Sequence, residues 1–251
     1  QVQARRTLGR FVDLAAGEAF NDKVHRRKLA GARFPEMALR SDKLLVKDFV
    51  RDRLGPRYVT PTLWHGTVLP PEPAADWPQG FAVKANQGSG GNVFVRDKAA
   101  ADWPAIRRRA GQWLRAPHGG RHKEHWYGLI VPQLLVEPLL AEPHELRDYK
   151  VFVFHGRAAF VQVDVDRFGH RRKVLHDRDW RRLPFVIGNY PRVEEDLAPP
   201  PHFAEMLEVA EALAEGWDFV RIDLYDLPAG PRFGEMTFAP GAGYLRFSPA
   251  E

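Results

Sequence analysis

The sequence predicts an α+β fold built on antiparallel sheets. Three observations carry that reading. Two long segments each read as a β-hairpin: "DYKVFVFHGRAAFVQVDV", turning at His155-Gly156, and "FVRIDLYDLPAGPRFGEMTF", with turn chemistry in Leu227–Pro231. Helices stand between groups of short strands, an order that argues against a doubly wound parallel sheet. Neither GxGxxG after a first strand nor GxxxxGK[ST] occurs, which makes a Rossmann or P-loop nucleotide site a poor match.

The elements follow in chain order. Residues 1–30 read helical, with Leu8, Phe11, Val12 and Leu14 as apolar marks. In "SDKLLVKDFVRDRLG", Ser41 or Asp42 can cap a helix, Leu45, Phe49 and Val50 share its stripe, and Gly55 ends it. "YVTPTLW" reads as a strand and "PPEPAADWPQG" as a connector. "FAVKA" and "VFVRD" are strands flanking the loop "NQGSGGN", and "DKAAADWPAIRRRAGQWLR" is a helix that Pro104 either splits or starts. A basic, His-rich loop runs from Ala116 to Trp126, and "GLIVPQLLVE" reads as a buried strand. After the first hairpin an Arg-rich irregular stretch reaches Pro191. "APPPHF" is a connector, "PHFAEMLEVAEALAEG" an amphipathic helix, and the second hairpin leads into the tail "APGAGYLRFSPAE".

Bulk properties bound the function. At 251 residues with 44% hydrophobic content, the chain can bury a core as one large domain or two small ones. The absence of cysteine excludes thiolate metal sites, thiol nucleophiles and disulfides, and fits a cytoplasmic protein. No apolar run approaches a membrane span and no signal-peptide core opens the chain, which starts at Gln1 without Met and so reads as trimmed. A net charge of +5 suits anionic ligands: nucleotides, acidic sugars or nucleic acid. The ten histidines show no HExxH spacing. Ser89 has no base partner for a hydrolase triad. Seven tryptophans come without a recognition helix or RNP-type motif, so no specific nucleic-acid partner is expected.

Four segments could carry chemistry. If the second hairpin turns near Ala229, Asp223 faces Glu235 and Arg221 faces Thr237, with Val220, Ile222 and Leu224 on the opposite side. Like charges directly opposite on a sheet destabilise it. A cation between them answers the problem, and two carboxylates with open positions suit Mg2+. A solvated edge or an Arg221–Asp223 surface pairing answers it as well. "VKANQGSGGNVFV" sets Lys84 at a strand end before Gly88, Ser89, Gly90, Gly91 and Asn92, either an anion cradle of backbone N–H groups or a flexible hairpin loop. Lys84 in an apolar strand favours the cradle, because an unpaired buried ammonium is costly. In "LLVEPLLAEPHELRDYKVF", Glu137 and Asp148 flank a link that could be a hinge reading an adenine edge, with an acid for ribose. The alternative is an Asp148–Lys150 surface ion pair. "DRFGHRRKVLHDRDWRRLPF" is dense in positive charge, and Arg172 or Lys173 could bind phosphate while most of its arginines are solvated.

Read in order, "NDKVHRRKL", "SDKLLVKDFV", "KANQGSGGN", "DYKVFVFHG", "VQVDVDRF" and "FVRIDLY…GEMTFAPGAG" resemble the ATP-grasp superfamily, and closely its TupA-like branch, which is linked to cell-surface polysaccharide biosynthesis. The resemblance runs from about Asn21 to Phe247. It implies an ATP-grasp fold, two α+β lobes with antiparallel sheets gripping ATP. It divides the chain into a reduced N-terminal lead-in (1–75), a small lobe with the Gly-rich loop (76–137) and a large lobe with the metal site (138–251). Many relatives carry a substantial lobe before the Asp-Lys helix; roughly 40 residues precede it here, too few for a three-layer lobe.

The resemblance also implies roles. Lys43 and Lys84 contact ATP phosphates, the Gly88–Asn92 loop folds over the β- and γ-phosphates, Glu137 to Leu140 meet adenine through backbone, and Asp148 binds ribose beside Lys150. Lys173 or Arg172 reaches the γ-phosphate. Asp223 and Glu235 hold Mg2+, with Thr237 where many relatives have Asn. Arg221 and the backbone of Gly241 or Gly243 stabilise an oxyanion. The implied reaction is a Mg-ATP-dependent carboxylate–amine ligation through an acylphosphate. Its substrate is an acidic small molecule, a uronic-acid glycan or a carrier-bound carboxylate, which the basic loops Arg121–His125 and Arg171–Arg182 could bind. A phosphotransferase and a non-catalytic nucleotide- or polyanion-binding module remain the alternatives.

Overall fold

The computed structural model describes residues 1–115, 120, 122–141, 146–165, 172–188 and 190–248. In chain order the elements are α1 (Val2–Leu8), α2 (Phe20–Ala30), α3 (Phe34–Ser41), α4 (Leu45–Leu54), β1 (Trp64–Gly66), β2 (Phe81–Ala85), β3 (Asn92–Val95) and α5 (Trp103–Arg115). There follow β4 (Leu134–Pro138), β5 (Asp148–Phe154), β6 (Arg157–Val165), β7 (Arg172–Asp177), β8 (Val186–Ile187), α6 (Phe203–Leu213), β9 (Phe219–Leu227), β10 (Gly230–Thr237) and β11 (Phe247–Ser248). By contact they form two compact units, residues 33–142 and residues 1–32 with 143–251. That grouping joins 1–32 to the C-terminal part and 33–75 to the glycine-loop sheet, rather than setting 1–75 apart.

In the unit of residues 33–142, four strands pair antiparallel in the order β1-β4-β2-β3. Its core is aromatic: Trp77, Phe81 and Trp103 meet edge to face, with centroids 5.3 to 6.0 Å apart, beside Val83, Val95, Leu134 and Val136. Each such burial contributes about 1.5–3 kcal/mol. Pro104 starts α5 rather than splitting it, and Asp102 Oδ1 accepts the Ala105 N–H at 2.9 Å as its cap. Asp42, not Ser41, caps α4, accepting from the Leu44 and Leu45 N–H groups at 2.8 and 3.3 Å; Ser41 closes α3 instead. Gly55 (φ 101°) ends the helix.

In the unit of residues 1–32 and 143–251, five strands pair antiparallel in the order β10-β9-β5-β6-β7. One face is apolar: Val151, Val161, Val220, Ile222 and Leu224 lie under α6, which buries Met206, Leu207, Val209, Ala210 and Leu213. The other face is divided. One end holds the aromatic cluster of Phe152, Phe219, Phe160, Phe154 and Phe20. The other end is charged, with Asp148, Lys150, Asp164, Lys173, Arg221, Asp223, Glu235 and Thr237 at alternating positions on neighbouring strands.

Several sequence expectations are corrected. Residues 1–30 are two helices, because Gly9 (φ 74°) caps α1 and the Asp13 carboxylate takes the Ala15 and Ala16 N–H groups into a turn. Phe11 and Leu14, read as apolar helix marks, are exposed; Val12 is the buried one. The buried stripe of α4 is Val46, Lys47 and Val50, while Leu45 points out. "YVTPTLW" is not a continuous strand: Tyr58 ends a 3-10 turn (Pro56–Tyr58), only Trp64 belongs to the short β1, and Pro61 between them has no N–H to offer a ladder. Of "GLIVPQLLVE" only the last four residues, from Leu134, belong to a strand, β4. The Arg-rich stretch before Pro191 is not irregular throughout, because β7 forms within it. The motif residues 166–171, Arg121 of the basic loop and residues 142–145 of the hinge lie outside the described residues.

Candidate active site

The β9–β10 hairpin places Asp223 opposite Glu235 and Arg221 opposite Thr237, as the sequence register requires, but through a different device. The ladder from Gly230↔Leu227 to Phe233↔Leu224 would set Asp223 against Gly234. A bulge at Gly234 adds one residue and brings Glu235 into line. A Cβ there would lie 3.0 Å from the Asp223 carbonyl oxygen and 3.2 Å from the Tyr225 ring, so glycine lets the bulge close.

The facing acids share a cation from the chain itself. Arg221 Nε donates to Asp223 Oδ1 at 2.6 Å, and Nη2 reaches Asp223 Oδ2 (2.8 Å), Glu235 Oε1 (3.0 Å) and Thr237 Oγ1 (3.1 Å). Lys150 Nζ, from β5, bridges Asp223 Oδ2 at 2.5 Å and Asp148 Oδ2 at 2.6 Å. The Arg221–Asp223 and Asp148–Lys150 pairs weighed from the sequence as surface contacts are therefore buried. Burial raises the Asp223 carboxyl, but Arg221 and Lys150 outweigh it and hold it below the ordinary aspartate range. Burial likewise lowers Lys150 and Arg221, and the acids beside them win, raising both.

These residues fit a hard divalent cation, with limits. A carboxylate offers about four lone-pair sites, and Arg221 and Lys150 use three on Asp223. Glu235 is the more open of the two, 39% exposed, and among the described residues only its Oε1 is engaged, by Arg221 and by the Thr237 hydroxyl at 3.1 Å. The donors are all oxygens, the set Mg2+ prefers. No group of three or more His, Asp or Glu side chains able to hold a metal occurs among the described residues. Most of a Mg2+ shell would thus come from phosphate and water.

Strand alternation separates the two γ-phosphate candidates. Lys173 faces Asp164 across the β6–β7 ladder on the charged side, its ammonium 4.1 Å over the Tyr190 ring. Arg172 points to the opposite side and pairs with Glu195 at 2.8 Å.

The tail glycines are held by α2. Gly241, Ala242 and Gly243 take φ of 56°, 54° and 78°, three successive left-handed residues. The buried Lys28 donates to the Ala242 carbonyl at 2.7 Å, Asn21 to Leu245 at 2.8 Å, and Arg27 to the carbonyls of Phe219 and Phe238 at 2.9 Å. A Cβ on Gly243 would come 3.0 Å from Val24 Cγ1. His25 packs edge-on against Tyr244, and burial, with Lys28 nearby, lowers it to about 4.

In the unit of residues 33–142, Lys43 and Lys84 flank the glycine loop. Lys43 Nζ donates to the Gly88 carbonyl, and the Lys43 N–H to Asn86 O at 2.9 Å. Gly88 and Gly90 have φ of 65° and 84°. Gly91 packs against Ala85 and Trp113, Ser89 is exposed, and Asn92 pairs with Lys84 in the β2–β3 ladder. Glu137 is buried in β4 opposite Ala82, with Lys84 on Oε2 at 2.5 Å and Lys47 on Oε1. Burial raises its carboxyl, but Lys84 and Lys47 prevail and keep it below the usual glutamate range. Leu140 follows in the half-buried turn after β4.

Sequence reasoning missed three residues. Asn86, fully buried, donates to Asp42 Oδ2 (2.9 Å) and Val131 O (3.0 Å) and accepts from the Gln133 N–H (2.9 Å), fixing the base of the glycine loop to α4 and β4. Lys47 and Lys28 carry no role in the sequence reading, yet both are buried. Their signal was slight: Leu44 and Val50 stand three residues either side of Lys47, and Val24 four residues before Lys28.

No curated protein compared with the chain matches it. Solved structures do. D-Alanine–D-alanine ligase from Bacillus anthracis complexed with ATP shares 12% identity (TM-score 0.47) over 80% of this chain and 55% of its own. The Helicobacter pylori D-alanine–D-alanine ligase shares 15% (0.46) over 82% and 56%. An L-amino acid ligase from Bacillus licheniformis shares 13% (0.49) over 89% and 49%. The chain thus spans about half the length of these structures. No described helix is long and apolar enough to cross a membrane. The profile of the TupA-like ATPgrasp family matches residues 22–251, and with its antiparallel α+β architecture the chain belongs to that family and has the ATP-grasp fold.

Proposed function

We propose that the protein is a Mg-ATP-dependent ligase that activates a carboxylate as an acylphosphate for attack by an amine or related nucleophile. The observation that carries the reading is the bulge-set pair Asp223–Glu235 beside Arg221 and Lys150. Asp223, Glu235 and Thr237 would hold Mg2+, which supplies charge neutralisation to the triphosphate. Lys43 and Lys84 serve the phosphates, with the Gly88–Asn92 N–H groups as cradle, and Glu137–Leu140 offers backbone to adenine. Lys173, on the charged face, is the γ-phosphate cation in preference to Arg172. Asp148 orients Lys150; at 1% exposure it meets a ribose hydroxyl only if its neighbours part. Gly241 and Gly243 present backbone N–H groups to the tetrahedral oxyanion. Arg221 keeps Asp223 and Glu235 together and reaches the oxyanion only by giving up part of that fork.

The chemistry needs no covalent protein nucleophile, in keeping with a chain that has no cysteine. A net positive chain suits an acidic sugar or carrier-bound acid, and the ATP requirement suits the cytoplasm. Surface polysaccharide or natural-product biosynthesis is the proposed setting. The test is ADP release with Mg-ATP against a panel of sugar acids and amines, with product identified by mass, in wild type and Glu235→Ala. Ligated product, lost in Glu235→Ala together with Mg-ATP-dependent thermal stabilisation, is the expected result. Phosphorylated acceptor without ligation would make the protein a phosphotransferase. No ADP with any acceptor, and unchanged polyanion binding in Asp223→Ala, would make it a binding module.

A further inference from the structure

We infer that Lys47 is a positioning residue for nucleotide binding: it keeps the buried Glu137 carboxylate neutralised so that Lys84 can leave that carboxylate for a phosphate. The inference rests on the reading of Lys84 as a phosphate ligand.

The two ammoniums on Glu137 are not equivalent. Lys47 rises from α4, is 9% exposed at its side chain, and is held twice, by Glu137 Oε1 and by Thr62 Oγ1 at 2.6 Å. Lys84 is 29% exposed, and Glu137 Oε2 is its one acceptor among the described residues. The three side chains sum to one positive charge around a carboxylate that is itself 7% exposed. Two cations sharing one buried anion repel each other, and Lys47 is lowered first by burial and then, against the pull of Glu137, by Lys84. An incoming phosphate beside Lys84 relieves that repulsion. Glu137 then keeps Lys47, and no buried charge is stranded.

Without Lys47 the balance reverses. Moving Lys84 to a phosphate would leave Glu137 buried and unpaired, a state costly enough to hold Lys84 in place. Nucleotide affinity should fall although Lys47 itself touches no nucleotide. If the role is electrostatic, removing the carboxylate charge as well should abolish the penalty.

The experiment is calorimetric titration of Mg-ATP into wild type, Lys47→Met, Glu137→Gln and the double variant, each checked by thermal melting. Lys47→Met is expected to bind at least about tenfold more weakly than wild type. The double variant is expected to bind within about threefold of Glu137→Gln alone. A wild-type chain that binds no ATP would overturn the ligase reading. A wild-type chain that binds, with Lys47→Met within about twofold of it, would overturn this inference alone. So would a double variant as weak as Lys47→Met, since a purely structural Lys47 is not rescued by Glu137→Gln. Should Lys47→Met fail to fold, the comparison of Glu137→Gln with the double variant decides: equal affinity supports the inference and a further loss refutes it.

Discussion

Replacing Lys150 by Met takes an ammonium from between two buried carboxylates. Its Nζ lies 2.6 Å from Asp148 Oδ2 and 2.5 Å from Asp223 Oδ2, and the three side chains are 8%, 2% and 4% exposed. Met keeps most of the volume, so the loss is of charge rather than packing. Removing one partner of a buried ion pair costs about 3–5 kcal/mol. Asp223 retains the two-point Arg221 fork, which places the expectation near about 3 kcal/mol. For a chain of this length each kcal/mol moves Tm by about 2–4 °C, giving a fall of about 6–12 °C at neutral pH. Differential scanning calorimetry reads it. The pH dependence supplies a second check. Asp223 is depressed in the fold, so its contribution is present above the ordinary aspartate value of about 3.9 and is lost as pH falls through the folded value. Lys150 is raised, so its contribution is present below about 10.4 and is lost as pH rises through its folded value. The gap between wild type and variant should be level between those limits and narrow on both sides. A variant melting within about 2 °C of wild type, or a gap that persists unchanged far below the aspartate range, would refute the claim that Lys150 holds the charged face together.

Three further outcomes follow from particular contacts. Asn86→Ala strips partners from the Gln133 N–H, the Val131 carbonyl and Asp42, and should cost at least about 1–3 kcal/mol in thermal unfolding, with faster amide exchange at Gln133. Gly234→Ala forces a Cβ to 3.0 Å from a backbone oxygen and should destabilise by about 1–3 kcal/mol. It should also weaken Mg-ATP-dependent thermal stabilisation by slipping Glu235 out of line with Asp223, and unchanged stabilisation would dissociate the bulge from the metal site. His25 is depressed to about 4 from 6.5, so the unfolded chain takes up a proton first and stability should fall as pH drops from 6.5 toward 4. His25→Gln should flatten that limb of the melting profile, and an unaltered slope would place the acid sensitivity elsewhere.

Much of the fold was legible because its signals are local. Alternation in "FVRIDLY" assigns Val220, Ile222 and Leu224 to one face whatever lies beyond the strand, and both hairpins carry their own turn residues. His155 and Gly156 adopt φ of 49° and 75°, the left-handed pair such a turn demands. The Asp223–Glu235 pairing was read correctly from an assumed turn centre near Ala229. The actual ladder turns between Pro228 and Ala229, and the Gly234 bulge makes up the difference. β7 was not legible, because "RKVLHD" carries charge at both ends and pairs only by virtue of β6 alongside. Lys47 and Lys28 were not legible as buried, because a lysine's burial depends on an acceptor arriving from far along the chain: Glu137 in one case, the Ala242 carbonyl in the other.

The sequence alone determined which residues share a face, where the hairpins turn, and which family motifs stand in which order, since each depends on neighbours within a few positions. Only the tertiary structure decided what neutralises what. Asp223 meets Lys150 because β5 lies beside β9, Glu137 takes a second ammonium because α4 brings Lys47 to β4, and the tail glycines are fastened by α2 from the opposite end of the chain. Charge compensation in a low-dielectric interior acts over a few ångströms of space, and such distances are set by packing rather than by separation along the chain.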